Sequence, residues 1–140
     1  MTIPFPSLEY FQALQQRTRE DSDIFEKLGV CDVDFGAKVG ERMFSVRFEV
    51  CECVEVREGG DPTALDFVLA GPPEIWREML QAIAQHGGAD AAHTLNTLTH
   101  VGNQIQVEAQ DAEGSDKLFR YMASIQEFFD QGRHLEIAFD

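Results

Sequence analysis

The chain has 140 residues, 44% hydrophobic and 26% charged, which suits one ordinary domain with its own core and excludes a disordered chain. Asp and Glu number 25 against 11 Lys and Arg, for a formal charge of −14, a field that repels nucleic acid and anionic membranes. No stretch approaches the ~20 apolar residues of a bilayer span, so stable membrane insertion is not expected.

In chain order, Ser7 is placed to cap a first helix running to about Leu28. Tyr10, Phe11 and Leu14 form its apolar stripe, Ile24, Phe25 and Leu28 resume it, and "RTREDSD" is a candidate break between them. Cys31, Val33 and Phe35 then alternate with acids, the period of a strand, and "GAKVGER" has the composition of a turn. Phe44, Val46, Phe48 and Val50 alternate with polar residues, and Val54 and Val56 keep the same parity, with Glu52 falling on the apolar face. Residues 44–56 at ~3.3 Å each would run about 43 Å, too long for a small domain, which predicts a bulge or bend near residues 51–53.

"EGGDPT" closes that strand, and Leu65, Phe67 and Leu69 open another. Three strands joined by short turns predict an antiparallel meander. "GPPEIWREMLQAIAQHGG" is the clearest helix, started by Pro72 and Pro73 and stopped by Gly87 and Gly88, with Ile75, Trp76, Met79, Leu80 and Ile83 on one apolar face. "DAAHTLNTL" predicts a short helix capped by Asp90. Val101, Ile105, Val107 and Ala109 suggest a fourth strand, Leu118 to Phe129 an amphipathic helix ending at Gly132, and Leu135, Ile137 and Phe139 a fifth strand. The expected fold class is α+β: one mainly antiparallel five-stranded sheet with helices packed on one face.

Three cysteines raise the question of a metal or redox site. On an extended strand Cys51 and Cys53 point the same way, with Cα atoms ~6.6 Å apart, so a disulfide between them would distort the strand. Structural zinc takes four ligands, usually as two short-spaced pairs, and the chain offers one C-x-C with no second pair. His86, His93, His100 and His134 lack a metal spacing, and no nucleophile-elbow, phosphate-loop, dinucleotide-loop or C-x-x-C pattern occurs. The thiols read as strand residues, Glu49, Glu52 and Glu55 as solvated edge charge, and His93 with His100 as a surface pair. No cofactor, metal or catalytic residue is expected.

What remains is large apolar side chains: 11 Phe, 4 Met and a single Trp. They fill a core, or they line a cavity between sheet and helices in which Met79 and Met122 form an adaptable wall.

The run from Arg42 to Ile83, followed by residues 98–122, resembles the sterol-carrier-protein lipid-transfer domains. Phe44, Val46 and Phe48 fit that family's F-x-V-x-F strand, Leu65 to Gly71 its next strand, and Pro72, Trp76, Met79 and Leu80 its P-x-x-x-W-x-x-[LM]-[LM] helix. Ile105, Val107 and Asp111 fit its last strand loosely, Ala109-Gln110 standing where the family has Gly before the Asp, and the family's peroxisomal tail is missing. The resemblance covers about residues 8–131 of a single domain spanning 1–140. It implies an α+β fold around an apolar tunnel, without catalytic residues, that holds acyl chains, acyl-CoA or sterols, or serves as an accessory domain to lipid-metabolising enzymes.

The reading is a non-catalytic carrier of a small hydrophobic ligand, its wall drawn from Phe44, Phe48, Phe67, Trp76, Met79, Ile83, Ile105, Met122 and Ile125. The alternative is a filled-core interaction module that docks an enzyme or forms a homodimer. The N-terminus has no basic segment before an apolar run, so no secretory signal is expected and the location read is cytoplasmic, with reduced thiols.

Overall fold

The structure, a computed structural model, describes residues 2–100, 102 and 104–139. Its strands are β1 (Ile3–Phe5), β2 (Val33–Val39), β3 (Arg42–Glu49), β4 (Glu52–Glu58), β5 (Phe67–Gly71), β6 (Gln106–Glu108) and β7 (Ile137–Phe139). Its helices are α1 (Leu8–Glu20), α2 (Ser22–Leu28), α3 (Pro73–His86), α4 (Leu95–His100), α5 (Ala112–Arg120) and α6 (Met122–Asp130). The main sheet has five strands in the order β4-β3-β2-β5-β6. All its neighbours are antiparallel except β2 and β5, which run parallel. Strands β1 and β7 form a separate parallel pair.

The expected α+β architecture is therefore present, with different connectivity. The third strand does not extend a meander. After β4 the chain crosses back and inserts β5 beside β2. Two physical reasons favour this. Phe67, Val68 and Leu69 are all buried, so β5 needs cover on both faces, which a central strand receives and an edge strand does not. The free edge of β4 is already occupied by α1, where the Thr18 hydroxyl accepts from Cys53 N–H (3.4 Å) and the Gln15 amide donates to the Cys53 carbonyl (3.3 Å).

The long strand expected over residues 44–56 is two strands. A tight turn at Val50 and Cys51 divides β3 from β4, and Val50 takes a φ of 59° there, supported by its N–H donating to Asp32 at 2.8 Å. A bulge follows on β4: Phe48 faces Cys53 while Arg47 faces Glu55, leaving Val54 unmatched. The bulge turns both Cys53 and Val56 toward the core side. Glu52, expected on the apolar face, is exposed and pairs with Arg19 at 3.2 Å. "GAKVGER" is a turn only at Gly40 and Glu41. Gly36 to Val39 stay in β2, and a Cβ at Gly36 would press on Leu65 and Val68 at 3.1 and 3.2 Å, so this glycine serves packing.

Ser7 caps α1, accepting from Tyr10 N–H at 3.1 Å, and Asp21 separates α1 from α2, both as expected. Helix α3 keeps its expected limits, with Pro73 in the first turn and Gly87 at φ 78° closing it. Helix α4 starts later than expected. Thr94, whose hydroxyl accepts from Thr97 N–H, occupies the cap position, while the Asp90 carboxylate binds His93 Nδ1 at 2.6 Å. The fourth predicted strand shrinks to Gln106–Glu108, and its first residue, Val101, lies outside the described residues. The single helix expected up to Gly132 breaks at Tyr121 (φ −110°) into α5 and α6 and finishes in a 3-10 turn, Gln131–His134. Strand β7 forms where expected and pairs with β1 instead of the main sheet.

The helices lie over one face of the sheet. Phe44 stacks on Phe11 of α1 with ring centres 4.6 Å apart, and Phe48 meets Phe128 of α6 edge-on at 5.5 Å.

Candidate functional site: an apolar interior and its openings

The nine side chains named as wall residues come from β3, β5, α3, α6 and the approach to β6, and all join one contiguous hydrophobic cluster. Phe44, Phe48, Phe67, Trp76, Met79, Ile83, Ile105 and Ile125 are buried, while Met122 is half-buried at the edge. Rings interlock through this cluster: Phe67 stacks on Phe35 at 5.7 Å, and Trp76 tilts against Phe129 at 5.6 Å. The indole Nε1 of Trp76 donates to the Lys38 carbonyl at 3.1 Å, which meets the polar requirement of a buried indole.

Met122 leads from this interior to the surface. A groove of about 590 Å³ runs between α4 and the α5–α6 junction, lined by Thr94, Asn96, Phe119, Met122, Ala123 and Gln126, with Arg120 at its rim. Phe119 is 51% exposed, unusual for so large an apolar group, and packs its ring against His100 at 5.4 Å. Leu95, Leu98 and Ile125, from the helices that flank the groove, are buried. Two polar links hold the groove's α4 side: Gln126 accepts from Leu95 N–H at 2.8 Å, and Asp130 from Ala89 N–H at 3.2 Å. Among the groove residues, the sequence singles out only Met122 as wall. The others come from segments 94–96 and 119–126, whose meeting in space leaves no local trace in the sequence.

A charged cleft on the sheet is cross-braced by ion pairs. In a cleft of about 400 Å³ bounded by Asp34, Arg47, Asp66 and Lys117, Arg47 pairs with Asp34 at 3.0 Å and Lys117 with Asp66 at 3.1 Å. Asp66 also accepts from Asp34 N–H at 2.9 Å. These contacts tie β2 and β3 to the entry of β5 and to α5.

The cysteines are free thiols. Cys53 lies buried on β4 and Cys31 buried just before β2, and burial pushes both thiols up to about 12, far from the thiolate form that attacks or binds metal. Cys51 sits half-buried in the β3–β4 turn with its sulfur 3.7 Å from the Gly29 carbonyl. Among the described residues, no group of three His, Cys, Asp or Glu is arranged to hold a metal ion, and no helix is long and apolar enough to cross a membrane.

The chain matches no protein-family profile and no curated protein sequence. It does match solved structures. The crystal structure of sterol carrier protein 2 superposes with a TM-score of 0.67 at 12% identity, covering 91% of this chain and 95% of that one. The fold is that of sterol carrier protein 2. A solution structure from Thermus thermophilus, a conserved hypothetical protein for which sterol carrier protein is the suggested identity, superposes with a TM-score of 0.65 at 13% identity. It covers 94% of this chain and 90% of that one. The sterol-carrier-like pattern of β3, β5 and α3 is thus accompanied by a whole-chain similarity of fold at 12% and 13% identity.

Proposed function

We propose that this protein is a non-catalytic carrier of a small hydrophobic ligand, such as a fatty acyl chain, acyl-CoA or sterol, which it holds between sheet and helices. The observation that carries the reading is the apolar groove at Phe119 and Met122, an opening beside a large aromatic interior in a chain of formal charge −14. The sterol-carrier-like fold supports it. A ligand tail enters past Phe119, displaces Met122 and lies against Ile125, Met79, Ile83 and Trp76, with the remaining wall residues Phe44, Phe48, Phe67 and Ile105 behind them. Each buried methylene contributes ~0.8 kcal/mol, so an acyl chain binds usefully with no charged anchor. Helix α4, only six residues long and tied to α6 by the Leu95 N–H to Gln126 bond, is the element that yields. The acidic surface keeps nucleic acid away, and unmodified thiols suit a reducing, cytoplasmic setting. Residues 1–140 act as one binding unit.

Trp76 is the single tryptophan and reports on the interior. Titration with long-chain fatty acids, acyl-CoA and sterols is expected to shift its emission saturably, and Met122→Glu to weaken the response roughly tenfold, about 1.4 kcal/mol. Emission indifferent to every ligand offered would contradict the proposal.

A further inference from the structure

A second cleft opens at the other end of the segment that carries α4 and β6. It measures about 500 Å³ and is lined by Lys38, Ala70, Gly71, Pro72 and Ile75, with Glu41, Gln104 and Gln106 at the rim. This is the size of an ordinary small-molecule site, and most of its wall is apolar. Gly71 forms the floor: a Cβ there would lie 3.1 Å from Ile105 and 3.3 Å from the Trp76 indole, so the cleft is backed directly by the core.

The cation is the informative feature. Acids outnumber bases by 25 to 11, and the bases are correspondingly occupied. Arg17, Arg19, Arg42, Arg47, Arg57, Lys117, Arg120 and Arg133 all pair with carboxylates. Arg77 has a partner of its own. Lys27 stands on the exposed last turn of α2. Lys38 differs from all of these: it is half-buried, borders an apolar cleft, and its ammonium has no hydrogen bond or ion pair among the described residues. In an acidic chain, a cation kept free of the abundant carboxylates beside apolar walls is matched to an external anion with an apolar body.

We infer that the Lys38 cleft binds an aliphatic or aromatic monocarboxylate, its carboxylate on the Lys38 ammonium and its apolar body against Ala70, Pro72 and Ile75. Glu41 sets the charge class. A carboxylate side chain on the same rim tolerates a singly charged acid and repels a dianionic phosphate ester. The site is separate from the Phe119 groove and does not depend on what that groove carries.

Octanoate, octanol and octyl phosphate are the probes, followed by Trp76 emission and by backbone amide shifts at residues 38, 70, 71 and 75. The native chain is expected to bind octanoate at least tenfold more tightly than octanol, with shifts confined to the cleft. Lys38→Met, a change at a half-exposed position, should abolish that preference and leave octanol binding unchanged. Glu41→Gln should raise octyl phosphate affinity severalfold. Equal affinity for octanoate and octanol in the native chain, a preference that survives Lys38→Met, or octanoate shifts confined to Phe119 and Met122 would each overturn the inference.

Discussion

The indole N–H of Trp76, on α3, donates to the backbone carbonyl of Lys38, on the central strand β2, at 3.1 Å. This bond fastens α3 to the middle of the sheet and fixes the only tryptophan between the core and the Lys38 cleft. Trp76→Phe keeps an aromatic ring and leaves a buried carbonyl without its side-chain donor. The expected cost is about 1–3 kcal/mol, read as a lower denaturant midpoint with an unchanged slope. A midpoint equal to that of the native chain would mean that the bond contributes nothing to stability.

Val50 holds a φ of 59°, a conformation that β-branched residues rarely adopt, and its side chain is 61% exposed. Nothing in the packing repays the strain. Val50→Gly is expected to stabilise the protein by about 1 kcal/mol, because relief of the left-handed strain outweighs the added freedom of the unfolded chain. Thermal midpoints of the two proteins decide the matter, and a lower midpoint for the glycine variant would show that the turn relaxes in solution.

Gly114, in α5, lies against the backbone where the chain enters β5. A Cβ there would overlap the carbonyl oxygen of Asp66, a residue already held by Asp34 and Lys117. Neither side has room to yield, so Gly114→Ala is expected to destabilise the fold by about 3 kcal/mol or more. A variant of native stability would show that α5 shifts away from β5 freely.

Burial holds the Asp130 carboxyl above the ordinary carboxylate range. Gln126 and the Ala89 N–H donate to it, Arg133 lowers it, Glu127 raises it, and the buried Tyr10 hydroxyl faces it from α1. The folded chain therefore binds this proton more tightly than the unfolded chain. The resulting stabilisation is complete below the unfolded value near ~4 and is lost as pH rises through the raised folded value. Asp130→Asn keeps an oxygen acceptor and cannot ionise. Its melting temperature relative to the native protein is expected to rise between about pH 4 and 7. Parallel melting curves across that range would place Asp130 in a water-like setting.

Much of this fold is legible in the sequence because its signals are local. Ser7 before an apolar stripe, Asp21 in a polar break, and the Pro72-Pro73 start and Gly87 stop of α3 each declare an element through chemistry within a few residues. The β3–β4 turn is hidden for the same reason. Val50 and Cys51 carry no turn signature, and only the excessive length of the strand indicates that something must bend. The parallel insertion of β5 depends on α1 covering β4, a contact between distant parts of the chain. Within the candidate site, burial of Phe44, Trp76 and Ile125 follows from periodicity. The groove does not, because Phe119 meets Asn96 and Thr94 only once α4 folds over the α5–α6 break.

The central claim is that the apolar interior exists to hold a ligand. It is tested most directly by purifying the protein natively, extracting it with organic solvent and identifying what is released by mass spectrometry. The account predicts a hydrophobic compound at close to one equivalent per chain, lost from the Met122→Glu variant. A clean extract, together with no response of Trp76 emission to fatty acids, acyl-CoA or sterols, would contradict it.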